Sequence, residues 1–192
     1  MTTWATIPHK YLLEKPLQRG FSITQKMQSP DGFRVIRTSD IDEYGQLDPA
    51  DAILTNVPYP REALQGDLLV ATDVPGRSLV YYAALHGPCC FPGSIVRVDL
   101  DDRMNPHYLQ AFLQTAIFRR ELRQSNEHTT ISMTWLATLP VPVPPIDQQV
   151  RIVEQVREYD QHHREMLAKQ QQMLSLLGEH RVAKMTANVL GL

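Results

Sequence analysis

Two pairs of residues have the chemistry for metal ligation or nucleophilic attack: His162–His163 and Cys89–Cys90. Neither has the spacing that such work needs. His162–His163 lacks the His-Glu-x-x-His context of a helical zinc site and reads as a surface or seam pair on a helix. The cysteines lie in "GPCCFPG", without Cys-x-x-Cys spacing, and read as a buried turn rather than a nucleophile served by His86. None of the five lysines has an Asp or Glu two positions before it, so the Asp/Glu-x-Lys element of many metal-dependent nucleases is absent. No Gly-x-Gly, no GxxxxGK[ST] and no GxSxG occurs. That removes the usual dinucleotide loop, the P-loop and the serine elbow. The expectation is a non-catalytic binding module holding no metal and no cofactor.

The remaining chemistry lies in arginine. Arg outnumbers Lys 14 to 5 in a chain of net charge −2. A planar guanidinium suits bidentate contact with phosphate or guanine edges, although surface ion pairs explain the same composition. The near-neutral charge counts against a stand-alone nucleic-acid binder. "NPHY" (Asn105–Tyr108) resembles the Asn-Pro-Pro-aromatic motif of adenine methyltransferases, but its second proline and a glycine-rich donor loop are missing. A helix cap explains it better, and a degenerate methyltransferase fragment is the weaker reading.

The elements that must position these residues fall into two zones. Residues 1–145 carry all fourteen prolines, while 146–192 carry none and are rich in Gln, Glu, Leu, Met and Arg. In the first zone, short β-favouring runs alternate with turn signals: "GFRVIRTSDI" (32–41), "GDLLVAT" (66–72), "SLVYYAAL" (78–85) and "SIVRVDL" (94–100). "NPHYLQAFLQTAIFRRELRQ" (105–124) reads as one helix capped by Asn105, with Pro106 at its first position. Its expected apolar face is Tyr108, Leu109, Phe112, Leu113, Ala116 and Ile117. The fold class is α+β: a mixed domain over 1–145, then a long helix over 146–192. The adjacent cysteines and the lack of a 20-residue apolar run predict a reducing cytosol and no membrane span, and the N-terminus lacks a signal-peptide pattern.

"PVPVPP" (Pro140–Pro145) cannot be helix interior or a central strand, since proline fixes φ and lacks an N–H. It is expected as an extended, stiff connector. From Gln149 a heptad runs without a skip. One seam position takes Gln149, Val156, His163, Gln170 and Leu177, and the other takes Ile152, Tyr159, Met166 and Met173. Val153, Leu167 and Leu174 widen the stripe. About 40 helical residues would span roughly 60 Å, with a kink or fraying expected at Gly178. A sustained heptad argues for pairing with another helix, forming a coiled coil. The plainer alternative is a helix lying along its own domain.

Several segments together resemble the specificity (S) subunit of type I restriction-modification enzymes. The fullest match is "TTISMTWLATLPVPVPPIDQQVRIVEQV" (129–156), where Leu136, Leu139–Pro140, Pro142, Pro144–Pro145 and Gln149 fill the family's Leu-x-x-Leu-Pro-Val-Pro-x-Pro-Pro run and its Glu-Gln, with Gln148 in place of the usual Glu. "FRVIRTSDI", "GDLLVAT", "IVRVD", "NPHYLQAFLQT" and the terminal "NVLGL" fit in order. The resemblance implies a non-catalytic subunit that reads double-stranded DNA through a target recognition domain and holds methylation (M) and restriction (R) subunits. The usual S subunit has two recognition domains and two helices paired antiparallel. This chain has one of each and looks like a half-subunit, so a homodimer reading a split inverted repeat is expected. Under this resemblance the candidate base readers are Lys26, Arg34, Arg37, Arg61 and Arg77, with Thr129 and Thr130 on phosphate. The candidate dimer helix residues are Ile152, Val156, Tyr159, His163, Met166, Gln170, Met173 and Leu177. A DNA-independent coiled-coil adaptor is the alternative.

Overall fold

A computed structural model describes residues 4–24, 27–48, 53–56, 61–125 and 130–190, with side chains as far as Gly178. The near-continuous apolar run at 66–72 becomes β5 (Leu68–Ala71), whose four residues are all buried. It is the inner strand of an antiparallel pairing, flanked by β8 (Ile95–Val98) and β6 (Ser78–Val80), with β2 (Gln18–Arg19) beyond β8. Alternation explains why β5 is apolar on both faces. Leu68 and Val70 enter one core with Val80, Val96 and Val98, whereas Leu69 enters a second with Leu79, Tyr81, Phe91 and Ile95.

The second core lies against a three-stranded sheet. There β3 (Gln28–Val35) pairs antiparallel with β4 (Ile53–Thr55) and parallel with β7 (Cys89–Cys90). Register shifts between Gln28 and Phe33. Gly32 sits in this irregularity at φ +129°, where a Cβ would lie 2.2 Å from the Thr55 carbonyl oxygen. No other residue type fits there. The strand expected over 32–41 stops at Val35, and Thr38–Asp40 form a 3₁₀ turn.

Two more expected elements are shorter than their patterns suggest. "SLVYYAAL" leaves the sheet at Val80, and Ala83–His86 form the one-turn helix α1. The single helix expected over 105–124 is two, α2 (Pro106–Leu113) and α3 (Ala116–Gln124). Asn105 caps α2 as expected, accepting from the His107 N–H at 2.9 Å. The break comes at Thr115, whose hydroxyl accepts from the Phe118 N–H at 3.2 Å and starts a new helix. The change of direction moves Phe118 and Leu122 into the core, where Phe118 meets Phe112 and Trp135 edge-on. Ile117, expected on the apolar face, is half exposed.

The proline run is extended, as expected, and is also paired. β9 (Pro140–Pro142) lies antiparallel to β1 (Thr6–Pro8), with Ile7 opposite Val141 and Pro8 opposite Pro140. Bonds from His9 N–H to Leu139 C=O and from Val143 N–H to Ala5 C=O, both 2.9 Å, bracket the ladder. Prolines therefore take the alternate positions, where no N–H is called on. Their spacing of two also turns Val141 and Val143 to the core. After α4 (Met133–Thr138) and β9, the long helix α5 runs Ile146–Leu190, unbroken at Gly178. The chain divides into two compact units, Met1–Val153 and Glu154–Leu192.

His9 sits beside this ladder, 1% exposed. Its Nδ1 faces the Leu136 carbonyl at 3.0 Å, which makes Nδ1 the protonated nitrogen. Nε2 is buried without a partner. Burial lowers the pKa to about 4, against a smaller upward pull from the Leu136 bond. The unfolded chain takes up this proton near pH 6.5 and the folded chain only near 4. Stability from this group is therefore intact above pH 6.5 and is lost as pH falls towards 4, by roughly 3 kcal/mol. Urea midpoints measured across that window should drop for the wild type and drop less for His9→Gln. Parallel pH profiles would assign the acid limb to other groups.

Candidate nucleic-acid interface

Arg37 and Arg77 are 40 positions apart in sequence, and the fold brings both to the Thr38–Asp40 turn. Arg37 Nε donates to Asp40 Oδ1 at 2.9 Å and its Nη2 lies 2.6 Å from the same oxygen. Asp40 Oδ2 also accepts the Arg37 N–H. The Asp40 carboxylate, accepting from both the Arg37 N–H and its guanidinium, closes the turn, and the Asp40 N–H donates back to the Arg37 carbonyl at 3.0 Å. Arg77 Nη1 donates to the Thr38 carbonyl at 3.2 Å. Thr38 Oγ1 donates to Asp73 Oδ1 at 2.8 Å and lies 3.4 Å from Ser94 Oγ. Each arginine thus spends part of its fork on the turn. Both guanidinium groups are thereby oriented by the same short turn.

Arg34 is separate, on β3. Its Nη2 donates to the Asp48 carbonyl, and its Nε is buried without a partner. Arg61 lies elsewhere again, exposed, on a cleft that also presents Lys15, Arg19 and Arg97. Thr130 is exposed. Lys26 and Thr129 fall outside the described residues. Lys15, Arg19 and Arg97 were not singled out from sequence. They come from three stretches far apart in the chain, and no local pattern unites them.

The cysteines are not poised for chemistry. Burial raises the Cys89 thiol to about 11, with Arg34 pulling the other way, and raises Cys90 to about 12. Both stay protonated at neutral pH, far from a reactive thiolate. Burial, then Arg34, lowers the His86 pKa. Among the described residues no group of three or more His, Cys, Asp or Glu is placed to hold a metal ion. No helix among them is long and apolar enough to cross a membrane.

The start of α5 belongs to the first unit. Gln149 was placed on the heptad seam, yet it is fully buried. Its Oε1 accepts the Asn105 N–H, and its Nε2 donates to the carbonyls of Arg103 and Pro144, each at 2.8 Å. Val153 is in the core, and Ile152 is half-buried against it. From there the helix changes character. Tyr159 is 70% exposed, Met166 68%, Met173 64% and Leu177 59%, and Leu167, Leu174 and Leu176 are exposed too. Val156 is half-buried, and His163 and Gln170 are exposed. The Tyr159 and His163 rings stack with centroids 6.1 Å apart. One helix thus ends its anchoring at Val153 and then presents an apolar stripe.

Solved structures share this fold. A chain from a structure of complex assembly and conformational transition in the type I R-M system matches with a TM-score of 0.64 at 18% identity, over 84% of this chain and 39% of its own. The HsdS subunit from Thermoanaerobacter tengcongensis matches at 0.62 and 20% identity, over 83% and 38%. The S subunit of the type I restriction-modification system from M. genitalium matches at 0.53 and 13%, over 83% and 39%. No protein-family model and no curated protein matches the sequence. At these identities the likeness is one of fold: the chain folds like part of a type I specificity subunit and spans about 39% of the length of such chains.

Proposed function

We propose that this chain is a DNA sequence-specificity subunit of a type I restriction-modification system. Its first unit reads one half of a bipartite duplex target, and the exposed stripe of α5 pairs with a second copy of the chain. Methylation and restriction subunits dock on the assembly and supply the catalysis. The observation that carries this reading is the likeness of fold to specificity subunits, running over more than four fifths of the chain. Two features support it. Beyond Val153 the large apolar residues of α5, Tyr159, Met166, Met173 and Leu177 among them, are exposed. Arg37 and Arg77 converge on one turn, and Arg34 and Arg61 add cationic groups on the same unit. Arg34, Arg37 and Arg77, with Lys26, are the proposed base readers, and Thr129 and Thr130 the phosphate contacts. A two-fold homodimer presents two identical readers, so its target is an inverted repeat with a central spacer.

Mapping methylated bases after co-expression with a type I methylation subunit tests this. The expected result is methylation confined to one split, palindromic sequence. Two unlike half-sites would overturn the homodimer and keep the specificity role. Sequence-independent methylation, or none with the subunits stably associated, would overturn that role and favour an adaptor that never reads DNA.

A further inference from the structure

The cleft that holds Arg61 is cationic to a degree that the whole chain is not. It is lined by Lys15, Arg19, Arg61 and Arg97 together with short apolar walls, has a volume of about 630 Å³, and has no carboxylate among the described residues of its lining. This is a local inversion, because acids outnumber Lys plus Arg 21 to 19 over the chain. The four cations divide into two kinds. Lys15 Nζ lies 2.7 Å from Asp99, and Arg97 Nε lies 3.6 Å from Asp67, which is itself buried. Arg97 also donates to the Glu62 carbonyl at 3.4 Å. Asp99 and Asp67 are not among the described lining residues, and these contacts tie down two of the cations. Arg19 and Arg61 are exposed, and neither has an acidic partner among the described residues.

The backbone that carries them is fixed. Arg19 lies on β2, paired with Val96 of β8. The next residue, Gly20, donates to the Ile95 carbonyl at 3.0 Å and passes so close to Pro92 that a Cβ would lie 2.1 Å from its carbonyl oxygen. Arg61 is tied by its carbonyl, which accepts the Phe91 N–H at 3.2 Å. Two guanidinium groups on sheet-anchored backbone, beside apolar walls from Pro16, Leu17 and Met133, give the cleft a cationic face where low-dielectric walls strengthen attraction to an anion.

We propose that this cleft binds the phosphodiester backbone of duplex DNA and positions the first unit on its target without reading sequence. The proposal rests on the specificity-subunit reading. It gives Arg61 a phosphate-contacting task in place of base reading, and it adds Arg19, Lys15 and Arg97. The cationic lining calls for an anion, the arginine forks match paired phosphate oxygens, and the ligand of the parent reading is a polyphosphate duplex.

The test is the salt dependence of duplex binding by the full chain in complex with its methylation subunit, for target and scrambled duplexes. Arg19→Ala with Arg61→Ala should lower affinity for both duplexes by the same factor. It should also flatten the plot of log affinity against log salt by roughly 1.8, at about 0.9 for each lost phosphate contact. Both residues are exposed, so the thermal midpoint should not move. Wild-type binding with an unchanged slope in the double variant would overturn the cleft and leave the specificity reading standing. A loss confined to the target duplex would also overturn it, since that marks base readers. Inorganic phosphate at concentrations that leave ionic strength constant should not displace the duplex; displacement would assign the cleft to a small anion instead. A wild-type complex that binds neither duplex would overturn the parent reading along with this one.

Discussion

Gln149→Leu will lower the stability of the first unit by roughly 3–5 kcal/mol, a large share of what a domain of this size possesses. Leucine nearly fills the same volume, so the loss is not one of packing. It comes from three backbone groups, the Asn105 N–H and the carbonyls of Arg103 and Pro144. All three lose a shared partner that is itself fully buried, although Asn105 is half-buried and Arg103 exposed. An orphaned buried group costs about 1–3 kcal/mol. Gln149→Glu separates this account from a steric one. The carboxylate can still accept from Asn105, but its second oxygen faces two carbonyls that both need a donor. The glutamate should therefore resist ionisation. Its deficit relative to wild type should shrink as pH falls and the acid regains an O–H. Urea unfolding of both variants over a pH series gives the answer. A loss under about 1 kcal/mol for leucine would mean that water reaches the joint and takes over Gln149's bonds.

The same residue moves the source of stiffness at the head of α5. The proline run is held as an edge strand against β1, and the first turns of the helix are bolted to the domain by a side-chain amide. Under the proposed function a ruler between half-sites needs such a joint, and loss of Gln149 should relax spacer-length discrimination even where the protein remains folded.

The second large effect concerns assembly. Met166→Glu with Met173→Glu places charges at two positions that are each about two-thirds exposed in the single chain. On a monomeric helix the change is nearly silent, since Glu and Met have similar helix propensity. In a two-fold helix pair each substitution is present twice and is buried at the seam, where an unpaired carboxylate costs several kcal/mol. Light scattering should show a dimer for the wild type and a monomer for the variant at the same concentration, with self-association weakened by roughly 1000-fold or more. Equal masses for the two proteins would remove α5 as the pairing element. Cys89 and Cys90, buried and protonated, should not contribute disulfide-linked dimers that confuse the reading.

What the sequence determined by itself was everything that rests on local pattern. The buried strand at 66–72, the Asn105 cap with Pro106 behind it, and the α+β class all follow from periodicity and backbone chemistry within a few residues. So does the one long helix after the last proline. The family likeness was legible from the order of short segments, each weak alone. Errors came where a local pattern continued past a point that the tertiary structure had reason to interrupt. The 105–124 helix kept its apolar period through Thr115, but that hydroxyl could cap a second helix and Phe118 had a core to enter.

Only tertiary structure decided the rest. A glutamine in a heptad reads as a polar seam residue, and nothing nearby announces that its partners stand 44 and 46 positions earlier. Lys15, Arg19, Arg61 and Arg97 form one cleft because β2, β8 and the segment that bridges to β7 through Glu62 and Cys90 meet there. Arg37 and Arg77, picked singly, turn out to share a turn. Hydrophobic period and capping act over a few residues and leave a mark in the sequence. Charge convergence and the pairing of buried polar groups act through space, and they leave none until the chain has folded.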